Sequence, residues 1–243
     1  MEFGTKVAVI IETRVSGNLV PVMLHFMHVL GPGWKMVLYT LESEWILPAS
    51  TPFRHAVDSR RILIRWLPRN TSFASHHSVS VFLTRPWLWE QLHTADRILM
   101  FQRDSILCTN APQTVDDFLQ YDFVGAPIGA RHGHGYNGGL SVRNPKLMLS
   151  IVTNESLSFD EDAKSGRNQL MFEDQWFYTQ MTALGVDRVN LPSPDVARTF
   201  AVETIDYDNP LGYHQPDRWQ EKNLERIKDW CPEVGMLIAP RYH

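Results

Sequence analysis

Apolar runs alternate with amphipathic segments along the first hundred residues. KVAVIIET (6–13), KMVLYT (35–40) and RILIRWLP (61–68) are typical of strands buried on both faces. Between the first two runs, apolar positions recur at helical spacing until the Gly-Pro-Gly at 31–33 ends the segment. Strand, helix and strand in this order predict βαβ units and a parallel sheet.

A fourth apolar run, RILMF (97–101), ends in a polar insert. It follows the segment 79–96, which we predict to become helical near Arg85. Ligands of open α/β sheets bind outside the carboxyl ends of parallel strands, where a carboxylate can hold a cation and the cation a diphosphate. A strand-end turn with Asp104 bonded to backbone amides explains the same residues, and this alternative stays open. The insert consists of Gln102, Arg103, Asp104 and Ser105.

The pattern is looser beyond residue 108, where short elements are separated by glycines and prolines. We predict strands at 121–127 and 138–144, helices at 145–154 and 172–185, an irregular stretch with strand character at 188–205, a terminal amphipathic helix at 218–231 and a mobile loop at 159–169. Together with the amino-terminal half, these elements predict one α/β domain over 1–243. Its central sheet is expected to be mixed, mostly parallel and flanked by helices.

Composition excludes several classes of protein. With 243 residues, 44% hydrophobic and 21% charged, the chain is suited to one packed globular domain. A net charge of −4 gives no attraction to nucleic acid or anionic lipid, and no apolar run reaches the roughly 20 residues that span a bilayer. Cys108 and Cys231 are too few for a disulfide framework, so we expect a reducing, cytoplasmic location. An anchor preceding MEFGT stays open.

Two further motifs are candidates for a site. GHGYNG (133–138) satisfies G-x-G-x-x-G, but no helix opens within it, so we interpret it as a loop lining a cleft or as a surface hairpin. MFEDQWF (171–177) sets Glu173 and Asp174 among aromatic residues at a predicted helix start. The helix dipole favours acids there, while burial can raise a carboxylate toward the pKa of a general base. Trp176 is either a platform for a sugar ring or a core residue.

The histidine pairs and the common catalytic motifs indicate no further site in this sequence. His132 and His134 flank one glycine without a third ligand, and we interpret them as solvated rather than as a chelate. His25 and His28 lie one helical turn apart without an H-E-x-x-H acid, which favours packing over metal binding. His76 and His77 are expected in a loop. Neither a G-x-S-x-G elbow nor a P-loop occurs in the sequence.

Five motifs in order resemble the glycosyltransferases of the GT-A fold, and more narrowly a fungal and bacterial family of glycosyltransferase-like domains. They are FQRDS (101–105), YDFVGAP (121–127), NGGLSVR (137–143), FEDQWF (172–177) and LGYHQP (211–216). The resemblance implies transfer of a sugar, from a nucleotide sugar of the UDP type, to an acceptor hydroxyl. It also implies a nucleotide-binding half over about 6–107 and an acceptor and catalytic half over about 108–243.

Residue roles follow from the resemblance. Asp104 and His214 would hold a divalent cation, Mn²⁺ or Mg²⁺. Asp174, or else Glu173, would be the base, and a base opposite the leaving group implies inversion of the anomeric carbon. Contacts to the donor nucleotide, sugar and diphosphate are expected from Thr13, Arg14, Gln102, Arg103, Asn137, Gly138 and Gly139.

Gln102 departs from the family pattern, because it stands where the first acid of a D-x-D motif is expected. An amide oxygen is a weaker ligand for a hard cation, so weak cation binding, binding through water, or no cation all stay open. Two alternatives to a transferase stay open, of which the substitution motivates the first. One is a non-catalytic protein that binds nucleotide sugars or carbohydrate, and the other is a metal-dependent phosphohydrolase.

Overall fold

The computed structural model describes residues 5–15, 17–165 and 172–238. In this part of the chain the strands are β1 Lys6–Ile11, β2 Lys35–Thr40, β3 Ile62–Trp66, β4 Arg97–Phe101, β5 Ser105–Leu107, β6 Phe123–Pro127, β7 Tyr136–Arg143, β8 Ala201–Val202 and β9 Gly212–His214. The α-helices are α1 Leu19–Leu30, α2 Thr51–Asp58, α3 His76–Leu83, α4 Pro86–Leu92, α5 Pro145–Val152, α6 Phe159–Ser165, α7 Glu173–Leu184, α8 Pro194–Phe200, α9 Pro216–Trp219 and α10 Leu224–Trp230.

A six-stranded mixed sheet forms the centre of the molecule. Its order is β3-β2-β1-β4-β7-β6; β1 to β4 run parallel to their neighbours, and β7 pairs antiparallel with both β4 and β6. This confirms the predicted fold class. The apolar run of β1 is buried from Val7 to Ile10, and Phe101 of β4 stacks on Phe26 of α1 with ring centroids 4.0 Å apart. Burial of both faces explains why these strands are continuous apolar runs.

A second, small sheet brings a late segment of the chain beside the polar insert. Its order is β5-β9-β8, and β5 starts at Ser105, the last residue of the insert. The antiparallel register of β5 with β9 sets Ser105 opposite His214. Residues more than a hundred positions apart in sequence therefore meet at the carboxyl end of β4.

Several local predictions are wrong. The segment 79–96 is predicted to become helical near Arg85, and α4 does begin at Pro86. The residues before Arg85 are not a loop, because Ser75 caps a further helix, α3, in a reciprocal bond with Ser78. His76 lies in the first turn of α3 rather than in a loop, and so does its neighbour His77.

Two carboxyl-terminal predictions also need correction. The stretch 188–205 contains α8, which the cap of Ser193 and the following proline start. The helix predicted over 218–231 is divided into α9 and α10 by a break at Gln220. Of the loop predicted at 159–169, residues 159–165 form α6, and the remaining ones lie outside the described residues, as does Met171.

Cys108 and Cys231 form a disulfide with their Cα atoms 4.9 Å apart. The bond joins the end of β5 to the end of α10 and replaces the free thiols that suit a reducing compartment. With a sequence separation of 123 residues between the two cysteines, no local pattern in the sequence indicates that they pair. None of the helices in the described ranges combines the length and apolar character that a bilayer crossing requires.

Candidate active site

Two adjoining cavities open at the carboxyl edge of the parallel strands. The first has a volume of about 190 Å³ and the second about 280 Å³, and Gln102 contributes to both walls. The first is lined largely by apolar and aromatic groups from β1, β4 and α3, among them Ile11, Phe73, Phe82 and Leu83. The second is lined by the Asn137–Gly139 segment, the start of α7 and the residues around β9. Their chemistry differs accordingly: one is an apolar slot and the other a polar chamber.

His214 stands between these cavities with carboxylates on both sides. Its Nε2 lies 3.0 Å from Gln102 Oε1 and 3.4 Å from Asp104 Oδ1, and its Nδ1 lies 2.9 Å from Glu203 Oε1. Burial by itself lowers the pKa of His214, but the two carboxylates outweigh burial and raise it to about 9. Burial likewise raises the pKa of Asp104, yet the ion pair with His214 and the hydrogen bond from Gln215 lower it to about 2.

Once His214 releases the proton on Nε2, the donor atoms here are of the types that bind a divalent cation. Among the described residues no cluster contains three or more His, Cys, Asp or Glu side chains able to hold a metal ion. Asp104 Oδ1 is nevertheless buried without a hydrogen-bond partner, and it faces the same space as the Gln102 amide oxygen and His214 Nε2. A carboxylate orienting the other nitrogen of the imidazole, as Glu203 does, is the usual outer partner of a metal-binding histidine. Oxygen ligands from a diphosphate would complete such a site.

Two consecutive glycines connect the histidine to the acids of α7. A Cβ on Gly139 would lie 2.3 Å from His214 Nε2, and one on Gly138 would lie 3.2 Å from Asp174 Cβ. A side chain at Gly139 would therefore collide with the imidazole, and one at Gly138 would crowd Asp174 and its neighbours on α7. Asn137 fixes this segment, because its Oδ1 accepts from the Gly139 N–H at 2.7 Å. Both His214 and Asp174 consequently line the larger cavity, while Asp104 lines the smaller one beside it.

Asp174 is a buried carboxylate at the amino terminus of α7. Its Oδ2 accepts from the Gly138 N–H at 2.8 Å and its Oδ1 accepts from the Gln175 N–H at 2.7 Å. Burial, assisted by the charge of Glu173, raises the pKa of Asp174 to about 7 against the opposing effect of these bonds. A carboxylate with this pKa can exchange a proton near neutral pH.

Glu173 is directed away from that role by its own partners. Its Oε1 lies 3.4 Å from Arg143 Nη2, and its Oε2 accepts from Ser80 Oγ at 3.2 Å. Arg143 is completely buried, with its guanidinium 5.1 Å from the ring centre of Phe123. The adjacent acids of the sequence motif are thus divided: Glu173 neutralises a buried cation, and Asp174 faces the glycine segment.

The predicted donor contacts are divided between the cavities: Asn137, Gly138 and Gly139 line the larger one, and only some of the others line the smaller one. Arg103 does, and its Nε is 3.8 Å from an oxygen of Glu12, which also lines the slot. Burial raises the pKa of Glu12, whereas Arg103 and, more weakly, Arg14 lower it. Thr13 is half-buried and Arg14 exposed in the turn after β1, and neither is part of the cavity wall.

Trp176 and the H-G-H turn take structural positions. Trp176 is buried, and its Nε1 donates to Asp162 Oδ2 at 2.9 Å, so it is a core residue and not a sugar platform. His134 Nε2 lies 2.9 Å from Thr179 Oγ1. His132, in contrast, lines the larger cavity with its ring centre 4.9 Å from that of Trp219.

Sequence reasoning missed Glu203, Gln215 and Arg143. Glu203 follows the two-residue strand β8, and its relation to His214 depends on the pairing of β8 with β9. Gln215 is next to the predicted ligand His214, and adjacency was the one available signal. Arg143 ends a run that was predicted to be a strand, where a buried cation is unexpected without its distant partner.

Comparison with solved structures shows which known proteins share the fold of this chain. The glycosyltransferase GlyE of Streptococcus pneumoniae TIGR4, in its apo form, is similar to this chain with a TM-score of 0.54 at 13% identity, over 95% of this chain and 62% of GlyE. The galactosyltransferase LgtC, in complex with donor and acceptor sugar analogs, gives a TM-score of 0.53 at 11% identity over 98% of each chain. The chain thus spans less than two thirds of the GlyE chain.

At these identities the similarity shows the fold, which is that of GT-A glycosyltransferases. A search of curated proteins gave no significant match. One sequence family matches residues 61–214, from β3 through the end of β9, and so includes the polar insert, the glycine pair, both acids and the histidine. Because that match extends over more than half of the sequence, the chain belongs to the family described as "Protein of unknown function (DUF5672)".

Proposed function

We propose that this protein transfers a sugar from a nucleoside diphosphate sugar to an acceptor hydroxyl. The observation that carries the proposal is the position of Asp104, Gln102 and His214 at the junction of an apolar slot and a polar chamber. A nucleoside fits the slot, a diphosphate fits the junction, and the sugar and acceptor fit the chamber. Solved structures of the same fold that are named as a glycosyltransferase and a galactosyltransferase support this proposal, as does the resemblance to fungal and bacterial glycosyltransferase-like domains.

Charge separation is the chemical problem that such a site solves. The bond between the anomeric carbon and the phosphate oxygen breaks, its electron pair leaves with the diphosphate, and a new bond forms to the acceptor oxygen. A divalent cation, Mn²⁺ or Mg²⁺, when bound, neutralises the leaving diphosphate. Asp104, His214 and Gln102 would hold it, with Glu203 keeping a proton on Nδ1 of the imidazole.

Asp174 is our candidate for the group that removes the acceptor proton. It lines the chamber, and its pKa near 7 suits a general base at neutral pH. Glu173 is the weaker candidate because Arg143 and Ser80 engage it. Attack on the face opposite the diphosphate inverts the anomeric configuration, and we propose inversion with a uridine diphosphate sugar as the donor.

A protein that binds nucleotide sugars without turnover is the second candidate. The observation that favours it is that both oxygens of Asp174 already accept from backbone N–H groups. Those bonds stabilise the carboxylate form and make it a weaker base. The two candidates predict the same ligands and differ only in turnover.

Thermal shift followed by a product assay tests the proposal. UDP, GDP, CDP and ADP are added with and without Mn²⁺, and we expect one nucleotide to raise the melting temperature, more so with Mn²⁺. UDP release from UDP-sugars is then measured with and without a panel of sugar acceptors. Acceptor-dependent release supports the transferase, acceptor-independent release at full rate indicates a phosphohydrolase, and stabilisation without release indicates the binding protein. If no nucleotide stabilises the protein, the proposal is wrong.

A further inference from the structure

Gln215 has an unusual backbone conformation between β9 and α9. Its φ of 48° and ψ of 49° place it in the left-handed region, which glycine and asparagine occupy readily and glutamine rarely. A residue of this type holds that conformation only where its surroundings determine it, and such residues concentrate at functional sites. The neighbours of Gln215 are the predicted ligand His214 on one side and Pro216, which opens α9, on the other.

Both the backbone and the side chain of Gln215 hold Asp104. The backbone N–H donates to the Asp104 carbonyl oxygen at 2.9 Å, and side-chain Nε2 donates to Asp104 Oδ2 at 2.8 Å. Because Oδ2 is used in this way, the carboxylate cannot rotate freely. Its other oxygen, Oδ1, stays without a hydrogen bond and faces His214 Nε2 at 3.4 Å.

The opposite end of the same amide is bound to the wall of the larger cavity. Oε1 of Gln215 accepts from Arg218 Nη1 at 3.2 Å and from Trp219 Nε1 at 3.3 Å. These donors fix the orientation of the amide, since a flipped amide would put an oxygen against the Asp104 carboxylate and an NH₂ against two N–H groups. Arg218 and Trp219 both line the chamber.

We infer that Gln215 is a positioning residue, which holds the Asp104 carboxylate so that Oδ1 faces the site for the cation that would bind the diphosphate, and which links Asp104 to Arg218 and Trp219 on the wall of the chamber. This inference rests on the proposed function for the identity of the ligands. The hydrogen bonds of Gln215 thus connect Arg218 and Trp219, on the proposed acceptor side of the chamber, with Asp104 on the donor side. A change at Trp219, which does not bond Asp104 itself, should then alter ligand binding at Asp104.

Gln215→Met tests the inference because it keeps the length of the side chain and removes both sets of bonds. Mn²⁺ affinity is measured from the electron paramagnetic resonance signal of the free ion, and diphosphate affinity is measured with inorganic pyrophosphate. We expect Gln215→Met to weaken both at least fivefold and to lower kcat. Trp219→Phe keeps an aromatic ring, although a smaller one, and loses the indole N–H donor, and we expect a smaller change in the same direction with an increased KM for the acceptor. It also serves as the milder variant should Gln215→Met not fold.

Gln120→Met is the matched control. Gln120 is exposed before β6, far from the insert in the fold, and the same substitution there should leave affinity and turnover unchanged. A purely structural role of Gln215 would lower the melting temperature while leaving the Mn²⁺ and pyrophosphate affinities at the wild-type value, and that result overturns the inference. Wild-type protein that binds neither probe also overturns it. Weakened binding in a protein that transfers no sugar supports the positioning role and rejects the proposed function.

Discussion

Gly138 and Asp174 are joined by a hydrogen bond from the glycine N–H to Oδ2 of the carboxylate at 2.8 Å. The bond connects β7, which crosses the floor of the site, to the first turn of α7. On the other side of the glycine, the Arg143 guanidinium occupies the space where a side chain would be, because an added Cβ would lie 2.2 Å from its Nη2. The absence of a side chain at residue 138 thus permits both the aspartate contact and the buried ion pair of Arg143 with Glu173.

Gly138→Ala should destabilise the protein because the added methyl group displaces the Arg143 guanidinium from Glu173. Overpacking of this kind costs about 1–3 kcal/mol, and we expect a loss in that range in the free energy of unfolding from urea titration. Gly235→Ala is the control, since no atom lies within 4 Å of a Cβ there. An unchanged unfolding free energy in Gly138→Ala would contradict the packing described for Arg143.

Asp174→Asn and Glu173→Gln should separate chemistry from stability. We expect Asp174→Asn to lower kcat by about 10²- to 10⁴-fold, the usual contribution of a general base. Glu173→Gln leaves Arg143 as a buried charge without a charged partner, and we expect it to lower the unfolding free energy by about 3 kcal/mol. The measurements are steady-state kinetics and urea unfolding of both variants. Unchanged turnover in Asp174→Asn would remove Asp174 from the role of base.

The pH dependence of turnover offers a separate check on Asp174. Its pKa is raised to about 7, chiefly by burial and then by the charge of Glu173. A base acts when deprotonated, so kcat should rise with pH through about 7 and level above it. A profile that is flat between pH 5 and 8, in a transferase whose chemical step limits the rate, would exclude this assignment.

Stability should fall on the alkaline side because of His214. The folded pKa of about 9 lies above the ordinary value of 6.5, so the stabilisation is fully present below pH 6.5 and is lost as pH rises through about 9. This pKa shift corresponds to a contribution of about 3 kcal/mol to the free energy of unfolding. Melting temperatures between pH 6 and 10 measure it.

Glu203→Gln serves as the control for that measurement. It retains a hydrogen-bond acceptor for Nδ1 but removes one of the two charges that raise the pKa of His214. The alkaline loss of stability should become smaller in this variant. An equal loss in both proteins would show that other groups cause it.

Cys108 and Cys231 should contain no free thiol in protein purified without reductant. Alkylation in denaturant before and after reduction, followed by intact mass, counts the thiols. Because the bond closes a loop of more than a hundred residues, the double variant Cys108→Ser with Cys231→Ser should lose about 2–5 kcal/mol of unfolding free energy. Two alkylated thiols before reduction would contradict the disulfide and return support to a reducing compartment.

The sequence by itself determined the parallel half of the sheet and the position of the polar insert. Continuous apolar runs are required wherever a strand is buried on both faces, and this requirement is local, so β1 to β4 could be read from residue order. The insert was recognisable for the same reason, because four polar residues directly after such a run interrupt the burial. The motif order also pointed to a GT-A fold, which the structural comparisons support.

Only the tertiary structure decided which contacts each of the predicted site residues makes. Both acids line the larger cavity, and a buried arginine thirty residues before Glu173 decides that Glu173 is the one held in an ion pair. The position of His214 beside Asp104, its contact with Glu203 and the bridge through Gln215 all depend on the pairing of β5, β9 and β8. The disulfide depends on the packing of α10 beside β5. Contacts of this kind are set by strand register and by the filling of the core over long sequence separations, and no local periodicity records them.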